Sequence, residues 1–350
     1  MPAFLHAIGT AVPRHDVHAA FLSWAREQLA GSRQGAVFDR MAARSGIGHR
    51  WSVLPDGLAP TGSGGFYDAA DWPGTGARMA IYAEEAPTLA CAAIDALEAQ
   101  VPLGEITHLV LASCTGFVAP GIDQIIARRL GLAPSMERLL IGFMGCYAAI
   151  AALRSARHIV RSDPAARVLV VTVELSTLHL QQTDNLESLL AMLQFGDGAA
   201  AALVTGDPGG FALGQPFATT LADSHDLIRW AITDQGFAMH LSGEVPGRIA
   251  AALAERAFAA PALASPAEVD GWAVHAGGRS ILDAVERALD LPAEALDASR
   301  EVLAANGNMS SATLMFVLAR LLAGPPVSTG VALAFGPGLA AEGFVFESAA

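Results

Sequence analysis

The chain has 350 residues, of which 53% are hydrophobic and only 16% charged, and its formal net charge is −13. That length exceeds what one hydrophobic core usually serves, so two packed halves are expected, and the composition argues against disorder. The negative overall field repels nucleic acid and anionic membrane surfaces, so an anionic ligand needs a local basic patch.

All 21 cationic side chains other than histidine are arginine. The absence of lysine excludes a Schiff-base lysine, a pyridoxal-phosphate lysine and a P-loop lysine. Cys91, Cys114 and Cys146 have neither disulfide-framework nor zinc spacing. Three free thiols in an acidic chain fit a reducing cytoplasm, the expected location. Met1 to Val12 lack a basic start and an extended apolar core, so no signal peptide is expected. No charge-free apolar run reaches about 18 residues, so no spanning helix is expected either.

In chain order, residues 21–50 read as two short helices in which Arg33, Arg40, Arg44, His49 and Arg50 are concentrated. A loop rich in Gly and Pro follows from Pro55 to Gly76, then a long alanine-rich helix from Met79 to Gln100. After it the pattern alternates. His108 to Ser113, Arg138 to Phe143, Arg167 to Glu174 and Ala199 to Val204 read as strands. Helices are expected over Asp123 to Leu132, from Cys146 to about Ser162, and over Asn185 to Leu193. The second half repeats this grammar: strand Gly271 to Val274, helix Ser280 to Leu289, a helix from Asn308 through Leu322, and closing strands at Gly330 to Ala334 and Gly343 to Glu347. Such alternation predicts an α/β fold with mostly parallel central strands. The similar grammar suggests two like halves, 1–210 and 211–350.

Three strand-to-helix junctions carry residues suited to one chemistry. Cys146 stands where a helix N-terminus favours thiolate and can bind an oxyanion, with Gly142 and Gly145 leaving room for a sharp turn. A buried structural cysteine fits the same position. His275, beside Gly277 and Gly278, can donate to a carbonyl oxygen or pair with a thiolate; a turn histidine is the bland alternative. Asn308 fits an ordinary helix N-cap, or an amide that polarises a thioester carbonyl. Together they supply what cysteine acylation needs: a nucleophile, a base partner, and donors where negative charge develops.

The segments GFMGCYAAIAALRSA (142–156), RVLVVTVELS (167–176), FGDGAAAALV (195–204), GWAVHAGGRSILDAVE (271–286), NGNMSSATLMFVL (306–318) and FGPG (335–338) carry a resemblance to the type III polyketide synthases. These form the chalcone-synthase-like branch of the thiolase superfamily, and the likeness runs from about His108 to Glu347. It implies a five-layered αβαβα thiolase-like fold, normally a homodimer, that uses an acyl-CoA starter and malonyl-CoA without carrier protein or redox cofactor. Cys146 would take the starter, and His275 and Asn308 would hold the malonyl thioester as carbon dioxide leaves. Phe195 matches the family's gatekeeper phenylalanine, whereas Met239 replaces the second one. Trp230 falls where plant enzymes have glycine, His179 where they have threonine, and Ala119 where a methionine reaches into the partner's cavity. Thr115, Ser176, Leu178, Ala191, Ser310 and Pro337 would complete the lining, with Cys114 on the adjoining loop. Arg44 and Arg50, with Gly277 and Gly278, are the expected CoA contacts. A carrier-protein-dependent β-ketoacyl synthase and a non-condensing thiolase-fold partner protein are the rival readings.

Overall fold

The computed structural model describes residues 2–54, 65–67, 72–255 and 265–349, so most of the loop expected at Pro55–Gly76 lies outside the described residues. In chain order the strands of the first half are β1 (Phe4–Ala11), β2 (His15–Asp16), β3 (Trp51–Ser52), β4 (His108–Ser113), β5 (Glu137–Gly142), β6 (Val168–Leu175) and β7 (Asp197–Thr205). Those of the second are β8 (Phe211–Thr220), β9 (Ile228–Thr233), β10 (Gly236–Leu241), β11 (Gly271–Val274), β12 (Gly330–Gly336) and β13 (Ala340–Ser348). Nine of them hydrogen-bond in the order β11-β12-β13-β8-β1-β7-β6-β4-β5. Among the described residues, the two halves of this sheet pair at Phe4 with Ala212 and Leu5 with Phe211, and the Leu213 N–H donates to the Ala3 carbonyl at 2.8 Å.

Side-chain alternation turns those halves into layers. Along β4, Leu109 and Leu111 face one core while Val110 and Ala112 face another. The first core lies under the helix Thr75–Glu98, through Ala86, Ala90, Ala93, Ile94 and Leu97. The second contains the helices Ala148–Ser162 and Ser311–Leu322, and residues such as Ala332 and Phe344 from the other half-sheet. Val331 and Leu333 of β12 face a third core with the helices Val245–Ala254 and Arg279–Leu289. Helix, sheet, helix, sheet, helix is the five-layered arrangement expected for a thiolase-like fold. Each fully buried Val, Leu or Ile in these cores contributes about 1.5–3 kcal/mol relative to exposure. Alanines at 148, 149, 152 and 156 keep the middle layer thin enough for both sheets to touch it.

The sheet is more mixed than expected. β5, β4 and β6 run parallel, as do β11 and β12, but β7, β1, β8 and β13 pair antiparallel. The connection Pro337–Leu339 between β12 and β13 is far too short for a parallel crossover, which needs about a dozen residues. β9 and β10 form a separate two-stranded hairpin. Among the described residues, no helix is long and apolar enough to cross a membrane.

Strand β1 crosses the helix Thr75–Glu98 backbone against backbone. A Cβ on Gly9 would lie 2.2 Å from both the Ala93 carbonyl oxygen and the Leu97 nitrogen. Gly9→Ala is therefore expected to destabilise the protein by about 1–3 kcal/mol through overpacking. The check is a urea-unfolding midpoint, and an unchanged midpoint would refute this contact.

Candidate active site

Cys146, His275 and Asn308 reach one buried cavity of about 70 Å³. Cys146 lies just past β5. The chain turns there through Phe143 (φ 55°) and Gly145 (φ 72°), passes one 3-10 turn, Gly145–Tyr147, and enters the helix Ala148–Ser162. A Cβ on Gly145 would sit 2.3 Å from Pro337 Cδ, so only glycine fits this turn. Gly142 is not constrained in this way, since a Cβ there would have its nearest neighbour 3.9 Å away; Phe143 takes the second left-handed position instead.

The Cys146 thiol is not poised as thiolate. Burial pushes it up to about 11, offset in part by hydrogen bonds from Ser310 and Asn308. The expected helix-end stabilisation is outweighed by loss of water. His275 follows β11, with its N–H donating to the Leu333 carbonyl at 2.8 Å. Its ring is buried, burial lowers it to about 3, and neither ring nitrogen has a hydrogen-bond partner among the described residues. The resting pair is thus neutral thiol and neutral imidazole.

Asn308 is not the helix N-cap, a position held by Ser310 at φ 48°. Its Oδ1 accepts from the Ser310 N–H at 2.8 Å, and its Nδ2 donates to the Gly277 carbonyl at 3.2 Å. That network fixes which end of the amide is the donor and leaves one Nδ2 hydrogen for the cavity.

Thr115, Ser176, Phe195, Trp230, Met239, Ser310 and Pro337 line this cavity. Ser176, Phe195, Trp230 and Met239 also border a second cavity of about 290 Å³, which takes in His179 and Ala191. Leu178 does not join them: its side chain is fully buried in the outer core beneath the helix Thr75–Glu98. Trp230 and Met239 are directly paired across the β9–β10 hairpin, so they point to the same side.

A cleft of about 670 Å³ opens outside, bordered by Arg44, Gly277, Gly278 and an arginine not anticipated from sequence, Arg279. Gly277 also lines the Cys146 cavity, so cleft and cavity adjoin there. Arg50 corrects the CoA expectation. It is fully buried, its Nη1 donates to the carbonyls of Met192 (3.1 Å) and Phe195 (2.8 Å), and its Nε donates to His18 Nδ1. The guanidinium supports the Phe195 segment and, being buried, does not reach the surface, although its Nη2 has no partner among the described residues and Arg50 borders the second cavity.

A thiol, an imidazole and a carboxamide converging between two like halves of a thiolase-like fold define a class: enzymes that carry acyl groups and condense them. Comparison with known proteins narrows the class. Residues 1–208 match the N-terminal domain of the chalcone and stilbene synthases and residues 213–350 their C-terminal domain, so the chain belongs to that family. It is 35% identical over 291 residues to the alpha-pyrone synthesis polyketide synthase-like Pks18 of Mycobacterium tuberculosis, covering 77% of this chain and 72% of that protein. PKS-I from the brown alga Ectocarpus siliculosus superposes with a TM-score of 0.90 at 31% identity, over 99% of this chain and 98% of that one. The type III polyketide synthase domain of Steely1 from Dictyostelium shares the fold, with a TM-score of 0.91 at 24% identity over the whole of both chains. The protein is a type III polyketide synthase, an acyltransferase that extends acyl chains by decarboxylative condensation. Enzymes of this family use acyl-CoA and malonyl-CoA.

One residue of the site's surroundings escaped sequence reasoning. Glu174 is the penultimate residue of the all-buried strand β6, where a lone carboxylate in an apolar run was the available signal. Its Oε2 accepts from the Cys114 N–H and Thr115 Oγ1, both at 2.9 Å, and its Oε1 from Ser311 Oγ at 2.5 Å. It thereby ties the Thr115 loop to the start of the helix that follows Asn308. Burial raises Glu174 to about 7, so the folded protein holds this proton more tightly than the unfolded chain does. Its contribution to stability is full below the unfolded value of 4.5 and is lost as pH rises towards 7. Glu174→Gln removes that dependence. The melting temperature of the variant minus that of the parent is expected to increase from pH 5 to pH 7 and level off above; a flat difference would refute the raised pKa.

Proposed function

We propose that Cys146 carries the growing chain and that His275 and Asn308 manage the charge that develops as each malonyl unit is added. The observation that supports this most directly is the buried, unpaired His275 ring beside an Asn308 amide whose donor end is fixed. Neutral His275 accepts the Cys146 proton as the thiol attacks the starter thioester; a new C–S bond forms and the CoA thiolate departs. Malonyl-CoA then places its thioester oxygen between His275 and the Asn308 Nδ2–H. Loss of carbon dioxide leaves the bonding electrons as an enolate, and both donors strengthen where that charge appears. The enolate carbon attacks the Cys146 thioester, the C–S bond breaks, and the extended chain is ready to return to Cys146.

Release follows by ring closure, with pyrone, resorcinol and phloroglucinol types open to this chemistry. The pyrone type has one support: Pks18 is named for alpha-pyrone synthesis. It also needs no further catalyst, because an enol oxygen attacks the thioester and expels the Cys146 thiolate. The CoA moiety is assigned to the outer cleft, against Arg44, Gly277 and Gly278.

In this reading residues 1–210 supply the nucleophile and residues 211–350 supply His275 and Asn308. Two copies are proposed to associate in the cytoplasm through β5. This edge strand exposes Leu139 and Leu140, and Phe117 and Phe143 are also half exposed nearby. An apolar sheet edge of this kind is normally covered by a partner.

Cys146→Ala is expected to abolish condensation of acyl-CoA with malonyl-CoA; product formation at the parental rate would overturn the mechanism. Asn308→Ala is expected to slow malonyl-CoA decarboxylation by about 10²–10³, as loss of one oxyanion donor does elsewhere, and to affect starter loading less. Carbon dioxide release and intact-protein mass separate the two steps, and equal losses would remove Asn308 from its assigned role.

A further inference from the structure

Leu241, Val245, Gly277 and Ile281 line both the Cys146 cavity and the outer cleft, and so mark the neck between them. A thioester that enters through this neck leaves the other end of its carrier at the cleft rim. The charged residues lining the cleft are Arg44, Arg279 and Glu187. Because the chain as a whole carries −13, a polyanion is drawn to such a place only by local cations. Arg44 belongs to the first half, where it caps the C-terminus of the helix Gln34–Ala43. Arg279 belongs to the second, as the first residue of the helix Arg279–Leu289.

Neither guanidinium is committed to a protein partner. Among the described residues, the Arg44 side chain makes no hydrogen bond or ion pair. Arg279 Nε comes only within 3.6 Å of Asp283 Oδ2, beyond hydrogen-bond reach. Asp283 is held instead by Arg300, whose Nη1 lies 2.8 Å from Asp283 Oδ1 and whose Nη2 lies 2.6 Å from Glu286 Oε2. Arg300 thus takes up the acidic side of that helix, and the Arg279 side chain, 54% exposed, keeps its donors for another acceptor. The segments that carry the two arginines are also packed together. A Cβ on Gly46, two residues past Arg44, would lie 3.8 Å from both Cβ and Cδ of Arg279. The stretch that follows is pinned to the second half, since the N–H groups of Gly48 and His49 donate to the Ala304 carbonyl at 2.8 and 3.1 Å.

We propose that Arg279, together with Arg44, grips one phosphate of the acyl donor at the cleft rim, and so makes the enzyme select CoA thioesters over thioesters of bare pantetheine. This rests on the assignment of the CoA moiety to the outer cleft. A guanidinium presents a planar fork that matches a phosphate with two parallel N–H···O bonds, and forks from two elements can share the oxygens of one phosphate. With Glu187 on the same rim, one arginine alone leaves no net positive charge, and Arg279 supplies the surplus. CoA carries phosphate at its pyrophosphate and at its ribose 3′ position, and both offer this chemistry. The contact lies outside the neck, away from the reacting carbonyl, so its effect falls on binding and not on the chemical step.

The experiment is calorimetric titration of the full chain with CoA, 3′-dephospho-CoA and pantetheine, which needs no turnover. The parent is compared with Arg279→Gln, Arg44→Gln and the double variant. Arg279→Gln is expected to weaken CoA binding about tenfold, as loss of a charge-assisted hydrogen bond does, and to leave pantetheine binding unchanged. Since both arginines hold one phosphate, the double variant is expected to lose less than the product of the two single losses. Dephospho-CoA binding that still weakens in Arg279→Gln supports the proposal with the pyrophosphate as the group held; dephospho-CoA binding that no longer responds supports it with the 3′-phosphate. CoA binding equal to the parent's in Arg279→Gln overturns the proposal, and so does an equal weakening of pantetheine. Losses that multiply in the double variant overturn the shared phosphate. A parent that binds CoA no more tightly than pantetheine overturns the placing of CoA in the cleft along with this inference, whereas a parent that prefers CoA with an indifferent Arg279→Gln overturns this inference alone. Arg279→Ala decides the matter should Arg279→Gln not fold.

Discussion

The site depends on a backbone bridge one residue wide. Asn308 donates its N–H to the Gln194 carbonyl at 2.8 Å, and Gly196 donates to the Asn308 carbonyl at 3.0 Å. Through that pair a segment of the first half, with Phe195 at its centre, is stitched to the junction of the second half that carries the Asn308 amide. Arg50 supports the stitch from behind by holding the carbonyls of Met192 and Phe195, with its guanidinium 4.5 Å over the Phe21 ring. Close approach makes the stitch possible: a Cβ on Gly198 would meet Met309 Sδ at 2.4 Å. The two half-sheets pair at only two positions among the described residues, so the relative placement of Cys146 and Asn308 rests on this bridge and on the shared middle layer of helices.

The electrostatics follow from the same enclosure. Burial holds the thiol near 11 and the imidazole near 3, and so keeps both neutral before substrate arrives. In the proposed reaction, charge enters the cavity at the enolate oxygen, where fixed donors in a water-poor space act more strongly than they would in solvent. The expectation of a thiolate at a helix end omitted the larger effect of desolvation. That effect depends on how completely neighbouring layers close over the site, which no local pattern records.

The strands β4, β6 and β11 were legible because each is a short apolar run, and the convergence of Cys146, His275 and Asn308 on one cavity was legible because each stands beside glycine just past a strand or at the start of a helix. The outer layers were less so. β8 reads FALGQPFATT, without alternation, and it forms a strand because β1 and β13 flank it. Arg50 and Arg44 look alike in sequence, both arginines in one basic segment. One sits at the rim of the cleft, and the other is drawn inward by two backbone carbonyls more than 140 residues away. Leu178 and His179 are adjacent yet face opposite ways, one into the outer core and the other into the second cavity. Choices of that kind are made by distant partners.

The β9–β10 hairpin stands outside the nine-stranded sheet, and it carries Trp230 and Met239 as a cross-strand pair. Exchanging it unpicks no strand of the layered core and leaves in place the junctions that carry Cys146, His275 and Asn308. The scaffold therefore keeps the steps of bond formation apart from the shape of what is bonded, so a lineage can try new walls while inheriting the same chemistry. A graft of the whole hairpin preserves the pairing of its two wall residues, whereas single substitutions divide it.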